Sequence, residues 1–369
     1  MTADLASRIQ RVQGALIEAG IDGLVATPGS DLRYLTGYDA KPLERLTALV
    51  LPCDGDPVLV VPALEVAEAQ RSPAALAGMQ IVTHQETDDA YAVAIARLNG
   101  AVRVAVDDHM WAQRVVTLQT RYAGVRWTVA GRLLADLRMR KGPDEVASLR
   151  HAGAAIDRVH RRMGEFLEVG RTERAAAALI ADAIVAEGHV SADFVIVGSG
   201  PNGASPHHGV SDRVIESGDT VVIDIGGSTQ EGYCSDCTRT YAVGAEPASE
   251  VTEYYAVLRE AQRDQCDYAR PGVTAASVDR VGRTVIRDAG FGDYFVHRTG
   301  HGIGLETHEE PYIVEGNDLV LEPGMAFSIE PGIYLPGRHG ARIEDIVVTT
   351  DDGLDRLNTT TRALTILEG

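Results

Sequence analysis

One stretch of this sequence occurs twice, and each copy ends in an acidic residue. The first copy runs from Asp212 to Asp224 and the second from Asp318 to Glu330, with 106 residues between corresponding positions. In each copy a Glu-x-Gly turn signal precedes an apolar run that predicts a buried β-strand. The repeat therefore predicts two similarly folded halves around a pseudo-twofold centre.

Each half also supplies a second acid. Asp236 follows the first copy and Glu344 follows the second, 108 residues apart. Four carboxylates gathered in one place repel one another and resist ionising together. Two divalent cations would neutralise this charge, and such an arrangement is typical of two-metal hydrolases.

Length and charge limit the classes of protein that fit. A chain of 369 residues predicts two domains. The formal net charge of −19 argues against nucleic acid and anionic membrane surfaces as partners, because both favour Lys and Arg. The sequence has no apolar run of membrane-spanning length and no recognisable signal peptide, so a cytoplasmic protein is expected.

The four cysteines do not make a disulfide scaffold in a chain of this length. Cys234 and Cys237 form a C-x-x-C pair, but neither a second ligand pair nor a thioredoxin-like context accompanies it. We therefore expect both thiols to be incidental, with Cys234 and Asp236 on one face of a strand.

The beginning of the chain alternates between helical and strand-like patterns. This alternation predicts an α/β domain over residues 1–133. Its predicted elements are a helix at 5–19 and strands at 23–27, 46–51, 57–62 and 101–107. The strand at 57–62 is expected to be either the hairpin partner or the parallel neighbour of the strand at 46–51.

Residues 134–143 predict a linker, because basic residues there are followed by Gly-Pro and by acids that suit the start of a helix. The remaining residues, 144–369, predict an α+β domain in which strands dominate from residue 195 onward. Its predicted helices cover 144–169, 172–187, 249–268 and 278–289. Thr172 is the candidate N-cap of the second of these helices.

Each acid has a structural interpretation when it is considered alone. Asp224 could be a turn residue at a strand end, and Asp236 could be an ordinary surface acid. Glu330 ends so apolar a strand that it needs a partner or a metal. Glu344 shares a strand face with Arg342, which indicates either an ion pair or a metal ligand supported by the arginine. The repeat favours the metal site.

The eleven histidines are unevenly placed, and six of them lie at His207, His208, His297, His301, His308 and His339. His297 and His301 have the spacing of a zincin helix, but Gly300, Gly302 and Gly304 disfavour a helix and no Glu follows the first His. A glycine-rich turn that exposes one imidazole is favoured instead. Four carboxylates with one imidazole favour manganese, or cobalt or iron, over a thiolate-type zinc centre.

At these residues the sequence resembles the pita-bread metallopeptidases, and among them the aminopeptidase P / prolidase (Xaa-Pro dipeptidase) branch. The beginning of the chain resembles the creatinase-type N-terminal domain, most clearly at residues 30–38. The C-terminal part matches through motifs that occur in the family's order, at 206–213, 222–226, 235–240, 299–309, 329–334 and 342–345. The resemblance covers nearly the whole chain.

The resemblance implies a dinuclear metal site. The positions that match the family's ligands are Asp224, Asp236, His301, Glu330 and Glu344. Asp236 and Glu344 would bridge the two ions, and Glu330 would also act as the proton shuttle. Manganese is the expected metal, with cobalt, iron or zinc as alternatives.

The resemblance also implies roles for residues that do not bind metal. His207 matches the histidine that holds the substrate and stabilises the tetrahedral intermediate, with His208 as an alternative at that position. His308 matches the histidine on the substrate side. His297 and Arg342 would support the metal ligands without binding the metal themselves.

The implied activity is hydrolysis of an Xaa-Pro bond in a small peptide with proline in second position. Proline has no N–H and a ring-fixed φ, so general peptidases handle it poorly. An Xaa-Pro dipeptidase is the first hypothesis and an aminopeptidase P acting on longer peptides is the alternative. A dipeptidase must bind the free carboxylate of its substrate, for which Arg298 and Arg338 are the candidates. A homodimer is implied by the resemblance alone.

Two other classes of function compete with a metallopeptidase. A creatinase-like amidinohydrolase works without metal and would have no reason to retain five ligand positions. A non-catalytic pita-bread module that binds proteins usually loses ligands and carries charged tails, and this sequence does neither.

Overall fold

A computed structural model describes residues 2–368, with side chains from residue 5 onward. The chain divides into two compact units, Met1–Arg138 and Met139–Gly369. None of the helices in the described part of the chain is both long and apolar enough to cross a membrane.

The first unit is an α/β fold. Its helices are α1 (Thr2–Glu18), α2 (Ser30–Thr36), α3 (Val66–Ala69), α4 (Pro73–Leu76), α5 (Ala90–Ile95), α6 (Ala112–Arg121) and α7 (Gly131–Arg138). Its strands are β1 (Gly23–Ala26), β2 (Ala48–Pro52), β3 (Val58–Pro62), β4 (Gln80–His84), β5 (Arg103–Val106) and β6 (Arg126–Val129). They form one sheet in the order β4-β3-β2-β1-β5-β6.

The sheet of the first unit mixes parallel and antiparallel neighbours. Strands β2 and β3 pair antiparallel, so the hairpin is the alternative that the structure adopts for the segments predicted at 46–51 and 57–62. Strands β1 and β5 pair parallel, as do β5 and β6. Buried Val and Leu residues of the central strands form the core beneath the helices.

The segment predicted as a linker, 134–143, overlaps the last helix of the first unit. Residues 134–138 lie in α7, where Leu134 is buried and Arg138 forms an ion pair with Asp31 at 2.8 Å. A buried apolar side chain and a buried ion pair both fix this stretch within its own unit. The domain boundaries stay a prediction.

The second unit carries the duplicated segments. Its helices are α8 (Pro143–Arg161), α9 (Met163–Phe166), α10 (Glu173–Ala186), α11 (Ser249–Tyr268) and α12 (Ala275–Asp288). Its strands are β7 (Ser191–Ser199), β8 (Thr220–Ser228), β9 (Cys234–Val243), β10 (Gly300–Gly302), β11 (Glu309–Ile313), β12 (Ala326–Ile329), β13 (Gly332–Leu335), β14 (His339–Arg342), β15 (Asp345–Thr349), β16 (Leu354–Arg356) and β17 (Thr365–Leu367).

Three sheets make up the second unit: β17-β9-β8-β7, β11-β10-β12-β15-β16 and the pair β13-β14. In the first half β8 and β9 pair antiparallel, with Asp236 opposite Gly226. In the second half β12 and β15 pair antiparallel, with Ile329 opposite Asp345. Glu330 and Glu344 are the next residues at the same end of that ladder, so each half brings its two acids close together.

The duplication includes helices as well as strands. Thr172 caps α10 and Thr274 caps α12, and each hydroxyl accepts a hydrogen bond at 3.2 Å from the backbone three residues on. Each threonine also forms an isolated bridge to the segment that precedes the acid-bearing strand, Thr172 to Val214 and Thr274 to Val320. Both helices have 14 residues. The two halves are therefore built alike, as the repeat predicts.

The helix predicted over 144–169 is interrupted. Helix α8 ends at Arg161, Arg162 adopts φ −100° and ψ 10°, and the short helix α9 follows. The other predicted helices of this unit form near the expected positions, and Thr172 is the N-cap that the sequence indicates.

Strand alternation separates the core from the site. In the first half Ile223 and Ile225 of β8 pack against α8 and α10, so Asp224 between them faces the opposite side. In the second half Phe327 and Ile329 of β12 pack in a separate core with residues of α11 and α12. Helices thus cover one face of each sheet, and the acids lie on the other face.

Candidate metal centre

A cavity of about 670 Å³ lies in the second unit, and all nine residues predicted for the site line it. The lining residues are Phe194, Ile196, Pro206, His207, Asp224, Asp236, His297, Arg298, His301, Thr307, His308, Glu330, Arg342 and Glu344. They come from both halves of the repeat, which therefore meet at this cavity.

The four acids and two imidazoles form three overlapping groups, and within each group the ligand atoms lie within 4.8 Å of one another. These groups are Asp224, Asp236 and Glu344; His301, Glu330 and Glu344; and Asp236, His301 and His308. The His301 Nε2 atom lies 3.2 Å from Glu330 Oε1 and 3.7 Å from Asp236 Oδ2. The five predicted ligands are thus close enough to share two cations.

His308 belongs to one of these groups, although the sequence places it on the substrate side. Its ring centroid lies 4.0 Å from that of His301, and its side chain is exposed to the cavity. His308 is therefore near both the acids and the open space that a substrate would fill.

Three carboxylate oxygens at this site are buried and have no hydrogen-bond partner among the described residues: Asp224 Oδ1, Asp236 Oδ1 and Glu344 Oε1. A buried polar atom without a partner costs free energy. The other oxygen of Asp224 accepts from Arg342, and the other oxygen of Glu344 accepts from Thr238. Each of these two acids thus has one oxygen held by a protein hydrogen bond and one oxygen left for a cation. Carboxylate oxygens are the ligands that hard divalent ions prefer.

The charges of the site support the same conclusion. Burial, and then the neighbouring carboxylates, raise the pKa of Asp236 and of Glu344 well above the usual range. Burial also acts to raise the pKa of Glu330, but its hydrogen bond to His301 and the charges of His301, His297 and Arg342 outweigh burial and lower it to about 2. The acids cannot all ionise together unless cations balance them.

Arg342 orients the acids through direct and indirect hydrogen bonds. Its Nη2 donates to Asp224 Oδ2 at 2.5 Å and its Nε donates to Thr238 Oγ1 at 3.1 Å. The Thr238 hydroxyl in turn donates to Glu344 Oε2 at 2.7 Å. One buried guanidinium therefore orients an acid of each half.

Tyr334 extends this network to His297. Arg342 Nη1 lies 2.7 Å from the Tyr334 hydroxyl, and His297 Nε2 lies 2.9 Å from the same oxygen. Gly332 makes room, because a Cβ there would lie 2.3 Å from that hydroxyl. Sequence reasoning missed Tyr334 and Thr238, although strand alternation places Tyr334 on the face of Gly332, which pairs with Arg342.

The structure distinguishes His207 from His208. His207 lines the cavity, whereas His208 Nε2 lies 2.8 Å from Glu173 Oε2 and is not among the cavity residues. Glu173 was also missed by sequence reasoning, and only its position beside the cap residue Thr172 could have drawn attention to it.

The two candidate arginines also differ. Arg298 lines the cavity, and its guanidinium carbon lies 4.4 Å from the centre of the Tyr312 ring. Arg338 is exposed, forms an ion pair with Glu250 and does not line the cavity. Of these two side chains, only Arg298 can reach a substrate carboxylate in the cavity.

The C-x-x-C pair takes no part in the site. Cys234 and Cys237 are buried free thiols in β9, and neither belongs to a group that could hold a metal among the described residues. Burial raises the pKa of Cys234 to about 11. Both side chains pack in apolar clusters, as the incidental interpretation requires.

Comparison with known proteins agrees with the fold. Residues 147–351, more than half of the chain, match metallopeptidase family M24, and residues 8–140 match the creatinase/prolidase N-terminal domain. A probable dipeptidase, PepE, of Mycobacterium tuberculosis is 56% identical over 354 residues, which cover 96% of this chain and 94% of that protein. An Xaa-Pro dipeptidase of Lactobacillus delbrueckii subsp. lactis is 37% identical over 371 residues, covering 97% and 98%.

A solved structure gives the same result. The crystal structure of dipeptidase PepE from Mycobacterium ulcerans matches with a TM-score of 0.93 and 53% identity, over 99% of this chain and 98% of that chain. The chain belongs to metallopeptidase family M24, with a creatinase-like N-terminal domain and a pita-bread C-terminal domain. The predicted family and fold class are confirmed, and membership of a metallopeptidase family implies divalent metal ions.

Proposed function

We propose that this chain hydrolyses the Xaa-Pro bond of dipeptides with the aid of two divalent cations. The observation that carries the proposal is the convergence of four carboxylates and one imidazole in one cavity, where three carboxylate oxygens have no hydrogen-bond partner in the described part of the chain. Likeness to a protein named Xaa-Pro dipeptidase supports this substrate class.

In this proposal the residues that would hold the two cations are Asp224, Asp236, His301, Glu330 and Glu344, with Asp236 and Glu344 shared by both sites. An oxygen-rich set with a single imidazole supports manganese, with cobalt, iron or zinc as alternatives. When bound, the cations would activate a water molecule and polarise the scissile carbonyl.

The side chains on the cavity wall bind the substrate and move the proton. His207 and His308 donate hydrogen bonds to the scissile carbonyl oxygen as negative charge develops on it. Glu330 accepts a proton from the attacking water and delivers it to the proline nitrogen, which must be protonated to leave. Ser328 Oγ donates to Glu330 Oε1 at 3.0 Å, which orients that carboxylate.

The proline ring and the free carboxylate of the substrate need their own contacts. Phe194 and Ile196 supply an apolar part of the cavity wall that suits the ring. Arg298 has no ion pair or hydrogen bond from its guanidinium to the described residues, so it is available to the substrate carboxylate. A bound carboxylate would complete a charge-assisted pair at this position. Such a contact would favour dipeptides, because a longer peptide has no carboxylate at that point.

We further propose that the protein is a cytoplasmic homodimer whose partner is a small peptide rather than nucleic acid. The net charge of −19 argues against nucleic acid as a partner. Sedimentation velocity of the full chain tests the dimer, and a monomer at all concentrations would contradict it.

The activity is tested with a dipeptide Xaa-Pro and the matching tripeptide Xaa-Pro-Xaa. Protein stripped of metal and then reloaded with manganese is assayed for proline or peptide release. We expect cleavage of the dipeptide that depends on added metal and little cleavage of the tripeptide. Efficient cleavage of the tripeptide would assign the protein to aminopeptidase P. Absence of cleavage of both substrates, with manganese, cobalt, iron or zinc, would overturn the proposal.

A further inference from the structure

The carboxylate of Glu173 lies outside the cavity and is fully buried. Glu173 is the first residue of α10, and its oxygens accept hydrogen bonds from both ends of the segment 199–211. At one end Oε1 accepts from the Ser199 backbone at 2.8 Å and from the Ser199 hydroxyl at 2.7 Å. At the other end Oε2 accepts from the Ser211 backbone at 3.2 Å and from the Ser211 hydroxyl at 2.7 Å.

Two further residues tie the middle of this segment to the same carboxylate. Asn202 Nδ2 donates to Oε1 at 3.0 Å and to Oε2 at 3.2 Å. His208 Nε2 lies 2.8 Å from Oε2. Both oxygens of Glu173 are thus fully used in holding one stretch of chain.

The held segment reaches the proposed active site. It carries His207, which lines the cavity, and the carbonyl oxygen of Pro206, which accepts from Arg342 Nη1 at 3.3 Å. His207 is exposed, and its ring has no hydrogen bond or ion pair with the described residues, so its position follows from the backbone on either side. The Glu173 carboxylate holds this backbone at both ends.

The second half of the repeat shows that a helix start of this kind does not require the acid. Thr172 and Thr274 cap equivalent helices in the same way, but the residue after Thr274 is Ala275, not an acid. The acid therefore occurs only in the half that holds the segment 199–211.

We propose that Glu173 is a positioning residue that holds the segment 199–211 so that His207 stands at the cavity wall; this rests on the role of His207 in the proposed function. The helix N-terminus and the surrounding donors favour the ionised carboxylate. Although burial opposes ionisation, the hydrogen bonds from Ser211, Ser199 and Asn202 lower the pKa of Glu173 to about 2. A glutamine would have the same shape but would turn an N–H₂ group towards donors.

The test is a double-mutant cycle with Glu173→Gln and His207→Ala in the full-length, metal-loaded protein. Because a small misplacement of a catalytic group can cost about 100-fold in rate, we expect Glu173→Gln to lower kcat/KM by about 10–100-fold in the native background. With His207→Ala already present, we expect a further loss of less than about twofold, because groups acting as a unit are not additive. An equal loss in both backgrounds would overturn the proposal.

Hydrogen exchange of residues 199–211, measured by mass spectrometry, gives a readout that does not depend on activity. We expect faster exchange in Glu173→Gln than in the native protein, with unchanged metal content. Unchanged exchange would overturn the proposal even if the native protein cleaves no Xaa-Pro peptide, so failure of the proposed function and failure of this inference are distinguishable.

Asp157→Asn is the matched control. Asp157 is also buried and also accepts hydrogen bonds from a backbone N–H and a hydroxyl, those of Thr359 at 2.5 and 2.7 Å, but it holds a segment that does not line the cavity. We expect the Asp157→Asn variant to be less stable than the native protein, with unchanged hydrogen exchange of residues 199–211. If Glu173→Gln does not fold, Asn202→Ala removes one donor and is put through the same cycle, with the same two outcomes.

Discussion

Arg342 and Asp224 form a buried ion pair across the two halves of the repeat, with 2.5 Å between Nη2 and Oδ2. The pair occupies one oxygen of Asp224 and leaves Oδ1 without a partner among the described residues. The arginine also donates to Thr238 and Tyr334, so its planar fork is held at all three nitrogens. The geometry of the acids therefore depends on the shape of this side chain as well as on its charge.

Arg342→Lys keeps the charge but cannot reproduce these contacts. We expect about a 10–100-fold loss of metal affinity and of kcat/KM, which is the usual effect of removing a residue that orients metal ligands. Equilibrium dialysis against manganese and steady-state kinetics measure the two quantities. Arg338→Lys, at an exposed ion pair outside the cavity, serves as the control and should change neither.

Asp236→Ala should remove activity without unfolding the chain. We expect kcat/KM to fall by more than about 100-fold, since even supporting residues contribute about that much, and we expect fewer bound metal ions. In metal-free protein the variant should be at least as stable as the native chain, because a buried acid with a raised pKa destabilises the fold at neutral pH. Turnover, metal content and thermal unfolding test these points.

Glu231→Gln is the control for that experiment. Glu231 is an exposed acid in the turn between the strands that carry Asp224 and Asp236, and it should tolerate the change. A native rate in Asp236→Ala would rule out the dinuclear site.

Arg298→Ala should change the choice of substrate more than the chemistry. We expect KM for the dipeptide to rise by about 10–100-fold, as the loss of a charge-assisted hydrogen bond of about 1.5–3 kcal/mol implies. The matching dipeptide amide, which has no free carboxylate, should bind the native protein and the variant equally. If Arg298→Ala keeps the native preference for the free dipeptide over the dipeptide amide, Arg298 does not bind the carboxylate. Arg338→Ala is the control and should keep that preference.

The cysteines should be dispensable for metal binding. We expect Cys234→Ala with Cys237→Ala to bind the native number of ions while losing about 1–3 kcal/mol of stability for each buried side chain removed. Metal analysis and chemical denaturation measure both effects. A loss of one ion in the double variant would show that a thiolate acts as a ligand.

Glu173 should make stability depend on pH in a defined window. Its pKa is lowered to about 2 in the folded chain, from an ordinary value near 4.5, so its contribution is present above the ordinary value and is lost as pH falls towards 2. We expect Glu173→Gln to be less stable than the native chain at pH 6 and the difference to shrink between about pH 4.5 and pH 2. A constant difference over that window in denaturant melts would contradict this assignment.

Much of the site could be predicted from the sequence because its acids lie in β-strands or directly beside them. A period of two fixes which residues of a strand share a face, so Asp224 between Ile223 and Ile225 could be assigned to the side away from the core. The repeat then paired each acid with a counterpart. Even the capping of α10 by Thr172 could be predicted, because capping needs only local contacts.

The tertiary structure decided what local pattern does not encode. Adjacent histidines 207 and 208 look alike in the sequence, but only the fold brings Glu173 next to the second and the cavity next to the first. Arg298 and Arg338 are likewise separated only by the charges that fold against them. Tyr334 and Thr238 join the site through contacts between segments that are far apart in the chain, such as 238 and 342. Short-range periodicity and the repeat were enough to identify the acids of the site. Long-range packing decided which side chains support those acids and which side chains face the substrate.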